Sequence, residues 1–217
     1  MGKIQIITKE QEILLDEIRQ NIYLRNLFYF TGGTALSYFY FQHRVSDDLD
    51  FFTQSLFKPK EVIDFLKLMS KKYNFTFSAQ SGKLVVMVKI NWGRHLLKVD
   101  FARYPYKQLG KTRKINELTL DSLLDIGVNK LSMLAERTEV KDFVDLYFIL
   151  KHLTIWDLIE GVRVKFNMEI NPFILASDFT KAYTFYYLPK MIKPLSLPKL
   201  KDFYKKNAVA IGRKNIS

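Results

Sequence analysis

Two short motifs lie close together in residues 31–52, TGGTALSYFYFQHRVSDDLDFF, and both could act on phosphate groups. Gly32 and Gly33 stand directly before a segment of helical length, where backbone N–H groups and the helix dipole favour a negatively charged group. Asp48 and Asp50 are two residues apart, so in a strand both carboxylates project from one face, about 6 to 7 Å apart. Carboxylates at this spacing can share divalent metal ions during phosphoryl transfer, and hard oxygen ligands suit Mg²⁺.

Each of these motifs also has an ordinary structural interpretation. A Gly-Gly pair is found in turns that need a positive φ angle, and an Asp-x-Asp pair is found on the solvated face of edge strands. Leu49, Phe51 and Phe52 indicate that the Asp48 strand is buried on its other side, which favours a functional role for the carboxylates. Asp100, within the apolar segment LLKVDF, is a third candidate acid for metal binding or for taking a proton from a hydroxyl; a strand-end aspartate is the alternative.

The first half of the chain has the pattern of a mixed α/β lobe. Apolar residues at helical spacing predict helices over residues 9–25, 34–43 and from Pro59 onwards. Short apolar or alternating segments predict strands over residues 28–30 and 48–53. Residues 83–104 are typical of a hairpin that turns at Gly93 and Arg94.

After about residue 115 the pattern changes to helices. Thr119, Thr138, Thr154 and Asn171 are candidate N-caps of successive helices, and a basic helix is predicted at the C-terminal end. We therefore expect an α+β protein that is bilobal, with a mixed-sheet lobe at residues 1–112 and a helical lobe at residues 113–217. The boundary between them is soft, near residues 106–118.

Composition and charge restrict the class of protein. The chain has 217 residues, of which 48% are hydrophobic and 26% charged, which excludes a disordered or low-complexity chain. The absence of cysteine excludes disulfide frameworks and thiolate catalysis. The first residues lack a signal-peptide core and no stretch is apolar enough to span a membrane. We therefore expect a cytoplasmic protein with no membrane partner.

The net charge of +12 points to a polyanionic partner such as nucleic acid or nucleotide. Much of the excess lies in residues 189–217, which hold eight Lys or Arg residues and one Asp. This segment forms a predicted basic C-terminal arm. The aromatic residues just before this arm are predicted to be part of the core: Tyr183, Phe185, Tyr186 and Tyr187.

Two stretches of the sequence match one known family. TGGTAL, followed by Arg44-x-Ser46-x-Asp48-Leu49-Asp50-Phe51, resembles the AbiEii-type toxin nucleotidyltransferases, members of the DNA polymerase β-like superfamily found in abortive-infection toxin–antitoxin systems. Residues 125–150, DIGVNKLSMLAERTEVKDFVDLYFIL, resemble the helical signature of the same family. Lys141 stands where arginine is common in that signature, and Asp121 or Asp125 stands where the family often has glutamate.

The resemblance implies an N-terminal nucleotidyltransferase lobe, a C-terminal helical lobe and a set of site residues. It implies that Asp48 and Asp50 bind Mg²⁺, that Lys130 contacts phosphate and that Asp142 or Asp145 completes the pocket. The third acid is less regular in this family, so Asp100 is our own assignment as the third catalytic and metal-binding acid. The implied nucleotide-binding residues are Gly32, Gly33, Thr34, Arg44, Ser46, Lys130, Arg137, Asp142 and Asp145. From spacing alone, the last four would instead form an ion-pair cluster between helices. Arg44 and Ser46 could position phosphate or orient the loop, and a salt bridge and a turn cap are equally ordinary roles for them.

The implied reaction is attack of an acceptor hydroxyl on the α-phosphorus of an NTP, with release of pyrophosphate. The positive charge favours an RNA acceptor, and the family favours the tRNA 3′ end, so that translation would be blocked and a separate antitoxin protein would counteract the toxin. Transfer to a protein hydroxyl is one alternative. A non-catalytic nucleotide- or RNA-binding module is another, although the intact pair of Asp48 and Asp50 argues against it.

Overall fold

A computed structural model describes residues 5–213, which divide into two units. Within the described range, the first unit comprises residues 5–40, 46–107 and 111–122, and the second comprises residues 41–45, 108–110 and 123–213. The first contains the strands and the second is helical. The α+β fold class predicted from the sequence is confirmed.

The first unit is built on a mixed sheet. Its strands in chain order are β1 (Tyr29–Thr31), β2 (Asp48–Thr53), β3 (Thr76–Ser81), β4 (Val85–Trp92), β5 (His95–Arg103), β6 (Arg113–Ile115) and β7 (Leu118–Leu120). Within the described residues they form a seven-stranded sheet in the order β3-β4-β5-β2-β1-β7-β6. Strand β2 lies in the middle, antiparallel to β1 and parallel to β5. The predicted hairpin is confirmed as β4 and β5, with Gly93 in its turn at a φ of +60°.

Helices of the first unit differ from the prediction in two places. They are α1 (Lys9–Gln20), α2 (Ile22–Leu27), α3 (Gly32–Ala35) and α4 (Pro59–Tyr73), with a π-helical turn at Leu36–Phe41. The helix predicted over residues 9–25 breaks at Asn21, whose side chain caps α2 by accepting from the N–H of Leu24 at 2.9 Å. The helix predicted over residues 34–43 instead begins at Gly32 and runs through the π turn to Phe41, because Gln42 adopts a positive φ of 50°.

An aromatic stack on one face of the sheet fixes the register of its central strands. Phe30 of β1, Phe51 of β2 and Phe101 of β5 are register partners with no solvent exposure. The ring centroids of Phe30 and Phe51 are 5.1 Å apart, as are those of Phe51 and Phe101. Successive side chains of a strand point to opposite faces, so Asp50 and Asp100, each next to a stacked ring, project from the other face. A slip of one residue in β2 would turn Asp50 into the aromatic core, and the same slip in β5 would do so for Asp100.

The second unit contains α5 (Leu123–Glu136), α6 (Val140–Ile149), α7 (Ile155–Phe166), α8 (Pro172–Thr180), a 3₁₀ turn at Lys181–Thr184 and α9 (Leu197–Arg213). The predicted caps at Thr154 and Asn171 are confirmed. The predicted cap at Thr119 is wrong, because that residue lies in β7 and pairs with Tyr29 of β1. Leu118 and Leu120 flank it and are both buried, which is the period of a strand. Across residues 5–213, no helix combines the length and the apolarity needed to cross a membrane.

The aromatic stack yields a stability prediction. Phe51→Ala should lower the free energy of unfolding by about 3 to 5 kcal/mol, because it removes a fully buried ring from between two others. Phe52→Ala, on the other face of β2 and only partly buried, is the matched control and should cost clearly less. Urea denaturation of both variants measures the difference, and equal losses would contradict the role given to the stack.

Candidate active site

The carboxylates of β2 and β5 lie next to each other in the sheet. Asp48 and Asp50 are partly exposed on one face of β2, whereas Leu49 is fully buried on the other. The parallel pairing of β2 with β5 makes Asp50 the register partner of Asp100. Like charges directly opposite each other destabilise a sheet, so this arrangement carries an electrostatic cost.

The electrostatic state of Asp100 reflects this crowding. Burial, followed by the negative charge of Asp48, raises the pKa of Asp100 above its ordinary value, and Lys98 opposes the shift. The charge of Asp48 therefore acts on Asp100 across the two strands. A bound cation would relieve the repulsion, which is how paired carboxylates form metal sites.

Gly32 makes room for the Asp50 carboxylate. Gly32 adopts a φ of +77°, and a Cβ added at this position would lie 2.0 Å from Oδ2 of Asp50 and 2.8 Å from its carboxyl carbon. Such a contact is shorter than any side chain could tolerate, and the positive φ separately disfavours L-residues. The sequence TGGTAL thus brings backbone against the carboxylate. Gly33 follows within α3, and its predicted contact with the triphosphate stays a prediction.

Thr34 and Ser46 hold the start of β2. The Thr34 hydroxyl donates to the backbone carbonyl of Asp48 and lies 2.9 Å from the Ser46 hydroxyl. Both side chains are buried, at 0% and 7% exposure of their residues. The geometry therefore gives them a positioning role beneath Asp48. Their predicted contact with nucleotide stays a prediction.

Gln11 is a buried positioning residue that the sequence analysis did not identify. Its Nε2 donates to the carbonyl oxygens of Ser46 at 3.2 Å and Asp47 at 2.9 Å, and its Oε1 accepts from the N–H of Thr8 at 2.8 Å. One amide thus completes the capping box of α1 and ties that helix to the residues directly before Asp48. The Thr8-x-x-Gln11 spacing is typical of a capping box, but the second role of Gln11 depends on a contact 35 residues away.

The remaining predicted residues form a buried ion-pair cluster within the helical unit. Arg44 forms a bidentate pair with Asp145, at 2.7 Å from Nε and 2.8 Å from Nη2. Lys130 donates to Asp142 at 2.6 Å and lies 2.8 Å from Asp145. Arg137 binds the other oxygen of Asp142 at 2.8 Å. Lys130, Arg137, Asp142 and Asp145 thus form the interhelical cluster that spacing alone favours, and Arg44 forms a salt bridge. The predicted contacts of these residues with nucleotide stay predictions.

Charge compensation keeps this cluster ionised although it is buried. Burial by itself would raise the pKa of Asp145, but Lys130 and Arg44 hold that pKa well below its ordinary value. Burial would likewise lower the pKa of Lys130, yet Asp145 and Asp142 raise it. His43, also fully buried, places Nε2 2.8 Å from Asp145, and burial lowers its pKa while Asp145 opposes the shift.

The metal-binding assignment rests on the carboxylates of β2 and β5. Among the described residues 5–213, no group of three or more His, Asp or Glu side chains is assembled into a metal-binding cluster. The role of Asp100 as a third metal ligand stays a prediction. The oxygen donors of Asp48 and Asp50, and the backbone that Gly32 brings against Asp50, fit the hard divalent cations that take carboxylate ligands.

Comparisons with known proteins identify a family and a fold. The model of the family described as nucleotidyl transferase AbiEii toxin, type IV TA system, matches residues 13–184. An uncharacterized protein of Aquifex aeolicus is 32% identical over 156 residues, which cover 71% of each chain. A candidate nucleotidyltransferase from Helicobacter pylori has a similar fold, with a TM-score of 0.62, 20% identity and 94% coverage of each chain. JHP933, also from Helicobacter pylori, gives a TM-score of 0.60 at 19% identity, over 96% of this chain and 94% of its own.

The contact between Gly32 and Asp50 can be tested against a second glycine. Gly93 also has a positive φ, of +60°, but a Cβ there would meet nothing within 4 Å. Gly93→Ala should therefore cost about 1 kcal/mol of backbone strain alone. Gly32→Ala should cost about 1 to 3 kcal/mol more, because the carboxylate must also move. Denaturant unfolding gives both values, and equal losses would show that the close approach is absent in solution.

The ion-pair cluster predicts a pH-dependent loss of stability. A carboxyl with a lowered folded pKa contributes stability that is present above its unfolded pKa, near 4, and is lost as the pH falls through its folded value. Asp145→Asn should cost about 3 to 5 kcal/mol at neutral pH, because Arg44 and Lys130 lose a buried partner. Its stability should also fall less steeply below pH about 4.

The exposed Asp202, which pairs with Lys206 at 2.7 Å, supplies the control for this test. Asp202→Asn should unfold as the wild type does at each pH, since exposed pairs contribute little. Denaturant unfolding at a series of pH values measures all three proteins. A stability of Asp145→Asn that matches the wild type at neutral pH would refute the structural role of the cluster.

Proposed function

This chain belongs to the AbiEii family of nucleotidyltransferase toxins from type IV toxin–antitoxin systems, and from that premise we propose that it transfers a nucleotide from an NTP to an RNA hydroxyl. The tRNA 3′ end is the first choice of acceptor. The observation that carries the proposal is the set of neighbouring carboxylates on β2 and β5, with Gly32 opening space against Asp50. In this proposal the enzyme acts in the cytosol, its modification of tRNA blocks translation, and a separate antitoxin protein counteracts it.

Asp48 and Asp50 are the residues proposed to hold Mg²⁺, with Asp100 beside them. When bound, Mg²⁺ supplies positive charge that offsets the negative charge of the triphosphate. Magnesium commonly takes one or two protein carboxylates and completes its shell with phosphate oxygens and water. The paired carboxylates and the raised pKa of Asp100 support a site of this kind.

In the reaction, the acceptor hydroxyl oxygen forms a bond to the α-phosphorus as the bond from that phosphorus to the β-phosphate oxygen breaks. Pyrophosphate carries away the electron pair of the broken bond. The hydroxyl proton passes to a carboxylate, for which Asp100 is proposed, and then to solvent. A carboxylate whose pKa is raised above its ordinary value holds a proton better than an ordinary aspartate, which suits a general base.

The acceptor class is supported by charge. The net charge of +12 favours a polyanion such as RNA over most protein acceptors. A role for Lys130 in binding phosphate, which the family resemblance implies, belongs to the proposal as well. Arg44 and Arg137 are likewise proposed to bind nucleotide, and Asp142 or Asp145 to complete the pocket, although these residues contact one another in the structure.

A transfer assay tests this function. Each of the four α-labelled NTPs is incubated with Mg²⁺ and either total tRNA or total protein. The wild type should move label into RNA, and the double variant Asp48→Asn, Asp50→Asn should lose at least about 10²-fold in rate, as when a group that stabilises transition-state charge is removed. Asp47→Asn, which alters an exposed neighbour in the same motif, is the matched control and should keep its activity.

The outcomes of this assay separate the candidate acceptors. Label in RNA that depends on Asp48 and Asp50 supports the proposal and identifies the nucleotide. Label in protein would overturn the RNA acceptor but retain the active site. Equal transfer by the wild type and the double variant would overturn the assignment of the site.

A further inference from the structure

Tyrosines near the C-terminal end are exposed rather than buried. The prediction of a core role is wrong for Tyr183, Tyr186 and Tyr187, whose exposures are 46%, 88% and 71%. It is confirmed for Phe185, which is 8% exposed and packs edge-on against Phe143 at 4.9 Å. The buried Phe185 thus anchors a short segment on which the tyrosine rings face solvent. Exposed large rings grouped in this way are typical of binding surfaces.

The backbone on either side of these tyrosines is held in place. Tyr183 lies in the 3₁₀ turn that precedes the segment. Beyond it, the carbonyl oxygen of Lys190 accepts from the N–H of Val45 at 2.8 Å. The N–H groups of Ile192 and Lys193 donate to the carbonyl oxygen of His43 at 2.8 and 3.0 Å. A surface with both ends fixed loses little conformational entropy when a ligand binds.

Lysines accompany the exposed rings. Lys190 and Lys193 are exposed on the same segment. Lys201 of α9 donates to the carbonyl oxygen of Tyr183 at 3.1 Å, so the basic helix contacts the first tyrosine. Helix α9 also carries the exposed Lys199 and Lys205. Positive charge and exposed aromatic rings therefore occur together in this part of the helical unit.

Most of the predicted basic C-terminal arm is helix α9, which packs into the core of the helical unit. Leu200, Tyr204 and Ile211 of α9 are buried, and the Tyr204 hydroxyl donates to the carbonyl oxygen of Phe143 at 2.6 Å. Lys214 lies outside the described residues. Because α9 contributes to the core, its lysines are presented from a fixed scaffold, and truncation of the helix would disturb folding as well as binding.

We propose that Tyr183, Tyr186 and Tyr187, together with Lys190 and Lys193, form a surface that binds single-stranded RNA by stacking on its bases and pairing with its phosphates. Proteins that bind single strands combine aromatic platforms with a positively charged track. The proposal rests on the RNA acceptor proposed above and assigns residues to its binding. Lysine is depleted at protein–protein interfaces, so the mixture of tyrosine and lysine favours RNA over a protein partner.

Stacking requires bases that are not paired in a duplex, so the surface should prefer single-stranded RNA to double-stranded RNA. The full-length protein should bind a fluorescein-labelled, single-stranded oligo(A) dodecamer more tightly than a blunt RNA duplex of equal length. In the double variant Tyr186→Ala, Tyr187→Ala, the Kd for the single strand should rise at least fivefold, about the effect of losing one stacked base. The variant Tyr186→Phe, Tyr187→Phe keeps both rings and should bind like the wild type. Tyr106→Ala, at a tyrosine 39% exposed in the sheet unit, is the matched control.

The lysines are tested by the dependence of binding on salt. Each contact with phosphate of a single strand contributes about −0.7 to the slope of log K against log salt. The double variant Lys190→Ala, Lys193→Ala should therefore flatten the slope by about 1.4. The variant Lys71→Ala, Lys83→Ala removes two exposed lysines of the sheet unit and should leave the slope unchanged.

The results distinguish this surface from the proposed function. If the variant Tyr186→Ala, Tyr187→Ala binds the single strand as tightly as the wild type does, the proposed surface is overturned and the RNA acceptor is left intact. A duplex preference would overturn stacking. Failure of the wild type to bind RNA, with label transferred to protein in the assay above, would overturn the RNA acceptor itself and assign the exposed tyrosines to a protein partner.

Discussion

The aromatic stack at the centre of the sheet is the constraint on which the candidate site depends. Phe30, Phe51 and Phe101 occupy register partners on three neighbouring strands and are fully buried. Because side chains alternate along a strand, burial of these rings forces Asp50 and Asp100 onto the opposite face, side by side. The energy of packing the rings therefore holds two like charges in proximity, which the carboxylates themselves would oppose. Hydrophobic packing thus preorganises the two carboxylates that we propose for the active site.

Two groups of carboxylates in this chain experience contrasting environments. In the helical unit, Asp145 is buried among Arg44 and Lys130, and its pKa is held well below the ordinary value. On the sheet, the pKa of Asp100 is raised by burial and by the charge of Asp48. The first arrangement stabilises its charges within the protein. The second suits a positively charged ligand, and such perturbed groups are characteristic of functional sites.

Local patterns in the sequence were sufficient to predict much of the fold. The hairpin of β4 and β5 follows from alternating residues around Gly93, and the helix caps at Thr154 and Asn171 follow from side chains that bond within three residues. Strand β7 was not predicted, because its three residues adjoin a run of apolar residues at helical spacing. Pairing with β1 gives them their strand conformation. Local propensity gives way to such tertiary pairing in short segments.

The site could be predicted only in part, for the same reason. The Asp-x-Asp spacing identified Asp48 and Asp50, because two residues of one strand share a face. The alignment of Asp100 with Asp50 depends on a parallel pairing between distant strands, and that register cannot be read from either segment alone. The second role of Gln11 depends on a contact across 35 residues. Exposure of Tyr186 likewise follows from how the segment is anchored, since an aromatic side chain is compatible with either core or surface.

Anomalous X-ray diffraction from crystals grown with Mn²⁺ and a non-hydrolysable NTP analogue would test the central claim most directly. Manganese accepts the same oxygen ligands as magnesium and can be located by its anomalous signal. The account predicts a manganese peak within bonding distance of the Asp48 and Asp50 carboxylates, with the triphosphate completing its ligands, and loss of that peak in the Asp48→Asn, Asp50→Asn variant. A triphosphate bound with manganese elsewhere in the chain, or a peak that persists in the variant, would contradict it.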